Sequence, residues 1–345
     1  MTSSNQSPIN LYDLSRPALG KLLADWGYSD YYASMVWSGL YRDLATNIAG
    51  IPSLRPDLAE RLAAETGIGV LSTRSTIDSA DGHTEKYLLG LADAQAIETV
   101  LMYFRGRATA CVSTQVGCAM GCIFCATGQM GFRRHLSQGE IMAQIVHVAR
   151  TLRGRNDTLR NIVLMGMGEP LHNYDATMAA LDAAMDHRGL AIAPRFLTLS
   201  TVGVVPGIRR LAEERRPFRL AVSLHGATDE ERRRLVPTAR RWSLAELIAA
   251  CRDYTQTLGR RIFFEWALIE GENDDPEQAH ALGHLLQGLD AHVNLIPLTP
   301  TIGFDGRPTQ APAVKAFQAE LAGYGLPSTV RQRRGIDVAA GCGQL

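Results

Sequence analysis

Residues 108–125 read Ala108-Thr-Ala-Cys111-Val-Ser-Thr-Gln-Val-Gly-Cys118-Ala-Met-Gly-Cys122-Ile-Phe-Cys125. The first part, Ala110–Thr114, is a short run of small and β-branched residues, which predicts a strand. The second part is a loop carrying C-x3-C-x2-C. A strand that feeds straight into this loop places three thiols at the strand's C-terminal end. That end is where parallel β/α architectures build their active sites.

The same rhythm of strand, loop and helix repeats downstream. Further strands are predicted at Asn161–Met165, Arg195–Ser200, Arg219–Ser223, Arg261–Leu268 and His292–Ile296, with a last helix at Ala311–Tyr324. Two intervening helices open on a capping box, Ser137 with Glu140 and Ser243 with Glu246. Short apolar runs between helices imply parallel strands joined by right-handed crossovers. Residues 108–345 are therefore expected to form an α/β fold, a partial six-stranded (β/α)6 barrel. A doubly wound open sheet is the alternative. Upstream, Leu19, Leu22, Leu23 and Trp26, then Tyr32, Val36, Trp37, Leu40 and Tyr41, recur at helical spacing. Residues 1–80 are expected to be a small helical domain. Residues 81–107 are expected to be a β-hairpin extension, pairing Tyr87–Leu91 with Ile97–Tyr103.

Three thiolates on one tight loop suit three irons of a [4Fe-4S] cluster held by Cys118, Cys122 and Cys125. The fourth iron would stay open to a small molecule, which could then receive an electron directly. Structural zinc is the competing reading. It needs a fourth ligand, and Cys111 or His135 could supply one, though neither has zinc-finger spacing.

The 345-residue chain is 46% hydrophobic and 20% charged, ordinary for a globular protein. No apolar run approaches the length of a membrane span. Met1–Leu11 lacks a charged-then-apolar leader pattern. A cytoplasmic protein is expected, in which cysteines act as ligands or catalysts. The formal net charge of zero hides an asymmetry. Residues 101–245 hold 20 Lys/Arg against 11 Asp/Glu, while both flanks are acidic. Positive charge around the cysteine loop fits a polyanion, and equally a solvated surface.

Four further motifs end predicted strands on the cysteine side. They are Gly166-Met-Gly-Glu-Pro170, Leu199-Ser200-Thr201, Ser223-Leu224-His225 and Asn294-Leu295-Ile296-Pro297. Each alone is compatible with a structural hydrogen bond. Together with Cys111–Cys118 and the terminal Cys342-Gly-Gln-Leu345, they resemble the RlmN/Cfr family of radical S-adenosylmethionine (SAM) RNA methyltransferases. The resemblance is collinear from about Tyr87 onward and looser before it. It implies SAM contacts at Gly168, Glu169, Ser200, Ser223, Leu224, His225 and Asn294. Thr299 departs from the asparagine common in the family.

The resemblance also implies a mechanism. Adenine C2 and C8 are electron-poor, so a polar methyl transfer to them is implausible and a radical must add instead. Cys342 would take a methyl from one SAM, and a radical generated from a second SAM would activate it. The resulting methylene would bond to the adenine. Glu98 would act as base, and Cys111 would resolve the adduct through a transient disulfide. The implied substrates are adenosine in 23S rRNA and in tRNA, methylated at C2, with C8 methylation as the close alternative. The implied electron donor is a flavodoxin or ferredoxin, and the chain is expected to be a monomer. A non-enzymatic iron–sulfur or zinc RNA-binding module would leave Cys111 and Cys342 idle.

Overall fold

The structure is a computed structural model and describes residues 8–104 and 106–345. The polar start on which the leader reading rests lies, over residues 1–7, outside the described residues.

One ten-stranded sheet organises the chain. Its strands are β1 (Ser72–Asp78), β2 (Thr84–Gly90), β3 (Ala96–Phe104), β4 (Arg107–Cys111), β5 (Leu159–Leu164), β6 (Leu197–Thr201), β7 (Arg219–Ser223), β8 (Ile262–Leu268), β9 (Ala291–Pro297) and β10 (Ser328–Val330). They lie side by side in sequence order. Strands β1 to β4 pair antiparallel and β4 to β10 parallel. A doubly wound sheet would reverse its order at a switch point. No reversal occurs, so the sheet is the wall of a partial barrel. The six expected β/α strands are β4 to β9. The seventh parallel strand, β10, carried no periodicity to reveal it, being three residues long.

The expected hairpin is β2 with β3, but it is not a separate extension. Val100 pairs with Cys111, so the hairpin continues the barrel wall. Its turn needs no Asn-Gly pair because Ala94 takes φ +64° and Asp93 accepts the Gln95 N–H at 3.1 Å. The helical expectation for residues 1–80 is corrected at its end. The helices are Arg16–Asp25, Asp30–Tyr41 and Pro56–Glu65, while 72–78 is the fully exposed edge strand β1. Small polar residues on both faces hid that strand from a pattern search.

Both expected capping boxes are present, and Thr228 with Glu231 forms a third. The N-terminal helices dock on the helix Gln138–Arg153. Arg150 Nε donates to the Leu44 carbonyl at 2.9 Å, and the Gly139 N–H to Asp13 Oδ1 at 2.6 Å. Leu19, Leu23, Trp37 and Tyr41 share one continuous buried core with the barrel. No described helix is long and apolar enough to cross a membrane.

Candidate active site

The cysteine loop is held from three directions. A two-stranded ribbon, Gln115–Gly117 against Phe132–His135, brings the chain back after the loop. The Ile123 N–H donates to the Leu235 carbonyl at 3.1 Å. The Ala126 N–H donates to the Gly343 carbonyl at 2.7 Å. Two glycines make the geometry possible. A Cβ on Gly117 would stand 1.8 Å from the Gly131 oxygen, and one on Gly128 would stand 2.7 Å from the Cys122 oxygen.

Met120, Leu235, Val236, Ile269 and Leu298 pack with Cys122, and Cys118 and Cys125 lie against the same cluster. Burial pushes the Cys118 thiol up to about 12 and the Cys122 thiol well up as well. Such thiols ionise readily only on binding metal. Among the described residues, no three His, Cys, Asp or Glu side chains are placed to hold a single metal ion. A cubane asks for something different, because each thiolate takes its own iron. The two candidates for a fourth zinc ligand are engaged elsewhere. Cys111 lines the barrel cavity, and His135 Nδ1 lies 3.0 Å from Gln115 Nε2. Three thiols in a dry apolar shell therefore fit a cluster and not a structural zinc.

Glu169 stands beside this loop and raises the Cys118 and Cys122 thiols. It is 2% exposed, with its carboxylate accepting the Leu171 N–H at 3.0 Å and the Val202 N–H at 2.8 Å. Burial without a cation nearby lifts it to about 7, against the pull of those N–H groups. A buried carboxylate in that condition fits an ammonium group such as the one SAM carries. Gly168 takes φ +102°, and a Cβ there would stand 2.6 Å from Gln115 Cβ. Gln115 is fully buried and was passed over in the sequence, though it lies between Cys111 and Cys118. Its Oε1 accepts the Glu169 N–H at 2.9 Å, and its Nε2 lies 3.1 Å from His172 Nδ1.

His225 holds the left-handed φ of +62° just past β7. Its Nδ1 accepts the Ala267 N–H at 2.9 Å, and its ring meets Phe124 edge-on at 4.9 Å. Burial, helped by Arg232, pushes it down to about 3, so the imidazole is neutral with its proton on Nε2. Leu224 is buried, its N–H bonded to the Glu265 carbonyl at 3.0 Å. Ser200 and Ser223 are half-buried at the C-terminal ends of β6 and β7, outside the cavity lining.

A cavity of about 390 Å³ fills the barrel, and Cys111, Cys342, Asn294, Thr299, Glu265 and Arg331 all line it. Asn294 is committed there, its Nδ2 donating to Glu265 Oε1 at 2.8 Å. Arg331 donates to the same oxygen at 3.2 Å. Cys342 opens into the cavity, and the surrounding protein desolvates its thiol and raises it, while Arg331 pulls it back. Burial pushes Cys111 up to about 12, and the neighbouring Cys342 adds to the rise. Two cysteines 231 positions apart in sequence thus face one space. Thr299 packs on Gly341, the residue before Cys342. Cys251 is core, fully buried on its helix.

Glu98 is placed differently. It sits on β3 near the same strand end, but outside the cavity lining. Its carboxylate pairs with Lys86 Nζ at 3.0 Å, and Lys86 also donates to the Ala339 carbonyl at 3.1 Å. Lys86, Glu265 and Arg331 carried no sequence signal, since only folding brings them to Glu98 and Cys342.

Comparisons with known proteins show the family. Residues 112–282 match the Radical SAM superfamily. The chain is 62% identical to dual-specificity RNA methyltransferase RlmN 1 of Myxococcus xanthus, over 97% of this chain and 94% of that protein. It is 54% identical to the probable dual-specificity RNA methyltransferase RlmN 2 of Opitutus terrae, over 100% and 88% of the two chains. A crystal structure of a radical SAM methyltransferase from Sphaerobacter thermophilus superposes with a TM-score of 0.94 at 45% identity, covering 98% of this chain and 99% of that one. The chain belongs to the RlmN family of radical SAM RNA methyltransferases.

Proposed function

We propose that this protein methylates C2 of an adenosine in 23S rRNA and in tRNA, through a methylated cysteine and a covalent protein–RNA intermediate. What supports the reading is the meeting of Cys111 and Cys342 in one cavity next to the cysteine loop. Relatives named as dual-specificity RNA methyltransferases support the substrate class.

Cys118, Cys122 and Cys125 would hold the [4Fe-4S] cluster, with Gly168, Glu169 and the strand-end residues Ser200, Ser223, Leu224 and His225 around SAM. Asn294 contributes through Glu265. When bound, these groups would supply a methyl group and a hydrogen-abstracting radical, and would take back the one electron left over once the carbon has bonded to the ring. The chain's own part begins with Cys342, whose sulfur carries the transferred carbon. That carbon bonds to adenine C2, and Glu98 takes the proton that C2 must lose. The Cys111 thiolate then attacks the Cys342 sulfur. A disulfide forms, and the electron pair of the broken C–S bond stays with the methylene carbon, which picks up a proton to become methyl. The helical N-terminal domain would help hold the RNA. A flavodoxin or ferredoxin would donate electrons, and the protein would act in the cytoplasm as a monomer.

The test is mass spectrometry of nucleosides from a deletion strain. Loss of 2-methyladenosine from both 23S rRNA and tRNA is expected. Loss of 8-methyladenosine, or no loss, overturns the assignment.

A further inference from the structure

The cavity that holds Cys111 and Cys342 runs the length of the barrel. Its far end is lined by Arg107 and Arg219, the first residues of β4 and β7. The near end is crossed by the terminal segment. Apolar side chains pack around the three cysteines there, and Gly341–Leu345 lies across them with Leu345 buried. A polynucleotide approaching that end would meet this segment, which makes the other end the freer approach.

That side is built for a polyanion. Phe104 lies between two guanidiniums, Arg107 at 5.1 Å and Arg334 at 4.8 Å from its ring centre. Arg219 lies 5.8 Å from the ring of Phe263, and Arg333 completes the mouth. An adjoining cleft shares Arg219 and Phe263 and adds Arg195, Arg260 and Arg261. Its one acidic lining residue, Asp290, pairs with Arg261 at 2.7 Å. Among the described residues, no other arginine of this mouth and cleft has a carboxylate within ion-pairing distance. Guanidiniums without carboxylates match phosphate oxygens bidentately. Aromatic rings beside them offer a stacking surface to bases, worth about 1–3 kcal/mol per base.

The passage inward is polar. Thr109, Asn161 and Thr198 line it, and Asn161 Oδ1 is buried without a hydrogen-bond partner. The cavity volume lies within the range of small-molecule sites, about 300–1,000 Å³. That is room for a base flipped out of its stack.

We propose that RNA docks its phosphates on the arginine rim at the N-terminal ends of the barrel strands, opposite the cysteine loop, and that the target adenine reaches Cys342 through the barrel. This rests on the reading of the protein as an RNA methyltransferase.

The test compares two double charge reversals in the cluster-loaded protein. Arg219→Glu with Arg334→Glu alters the rim. Arg240→Glu with Arg241→Glu alters exposed arginines on the cysteine-loop side, where Pro237 approaches Gly121. Binding of a labelled, in vitro transcribed 23S rRNA fragment is followed by anisotropy across a salt series. Iron content and thermal midpoint report intact folding. The rim variant should bind at least about tenfold more weakly, with a salt slope shallower by ~0.7–0.9 for each phosphate no longer neutralised. The cysteine-side variant should bind like wild type. As a second measurement, 4-thiouridine beside the target adenosine should crosslink in wild type to Phe104 or its neighbouring arginines.

Loss of binding only in the cysteine-side variant, crosslinks there, unchanged binding in the rim variant, or no binding by wild type overturns the proposal. Binding needs no turnover, so the two readings fail separately. RNA bound through the rim but never methylated sinks the activity and leaves the docking. Methylation with an indifferent rim sinks the docking and leaves the activity.

Discussion

The Ala126 N–H donates to the Gly343 carbonyl at 2.7 Å, tying the residue after Cys125 to the residue after Cys342. With Thr127 Oγ1 donating to the Leu345 carbonyl, this bond fastens the terminal loop to the cysteine loop. Gly343 can present its carbonyl because it takes φ +83°, a region open to glycine at no steric cost. Gln344 adds a further tie, its Nε2 donating to the Pro300 carbonyl at 3.1 Å. Cys342 is therefore held where Cys111 lies in the same cavity, not on a free tail.

Iron loading depends on the loop's shape as well as its thiols. Anaerobically purified protein should carry about four irons, as one cubane requires. Replacing Cys118, Cys122 or Cys125 by Ala should remove the iron and all turnover. Gly128→Ala should also lose iron with every ligand present, because its Cβ would stand 2.7 Å from the Cys122 oxygen. Iron assay and absorption spectra check this; a Gly128→Ala protein with full iron would refute the packing argument.

The two cavity cysteines should fail in unlike ways. Cys342→Ala should yield neither product nor adduct. Cys111→Ala should still load carbon on Cys342 and bond to adenine, but not finish. A nuclease-sensitive shifted band on a denaturing gel should then accumulate. Normal turnover by Cys111→Ala, or methyladenosine from Cys342→Ala, rules out the covalent route.

Lys86 holds Glu98 and the Ala339 carbonyl at once, at 3.0 and 3.1 Å. Lys86→Met should lower stability by on the order of 1–3 kcal/mol, by leaving partly buried acceptors without a donor. It should also slow proton removal, so covalent adduct builds up as in Glu98→Gln. Urea unfolding and the gel assay read these separately. Wild-type values in both would make the ion pair incidental.

Acid should weaken the fold through His225. Its folded pKa, about 3, lies below the unfolded value of 6.5. The stability it contributes is complete above pH 6.5 and is lost as pH falls toward 3, because only the unfolded chain takes the proton. The loss is roughly 1.4 kcal/mol for each pH unit crossed between those two values. His225→Asn, a residue that tolerates φ +62°, should unfold with a flatter pH dependence between 6.5 and 4. Urea midpoints across that range decide it, and parallel curves for both proteins would mean that His225 is not the responsible group.

The cysteine spacing, the strand-end motifs and the strand-helix rhythm were legible along the chain because each is a local pattern. C-x3-C-x2-C needs no partner to be read, and a capping box such as Ser137 with Glu140 spans four residues. Those patterns carried the barrel strands, the cysteine loop and the family. Edge strand β1 and short β10 stayed hidden because neither alternates buried and exposed positions over a readable length. The meeting of Cys111 with Cys342, the Lys86 bond to the Ala339 carbonyl, the Gln115 hub under Glu169 and the arginine rim are all long-range. Their members lie tens to hundreds of residues apart, and only the curling of the sheet with the terminal loop docked across it brings them together. Sequence determined which chemistry the chain can attempt, because reactive groups and local turns are written in order. Tertiary structure decided which thiols share one cavity and which arginines gather at its mouth, because those depend on how distant strands share one interior.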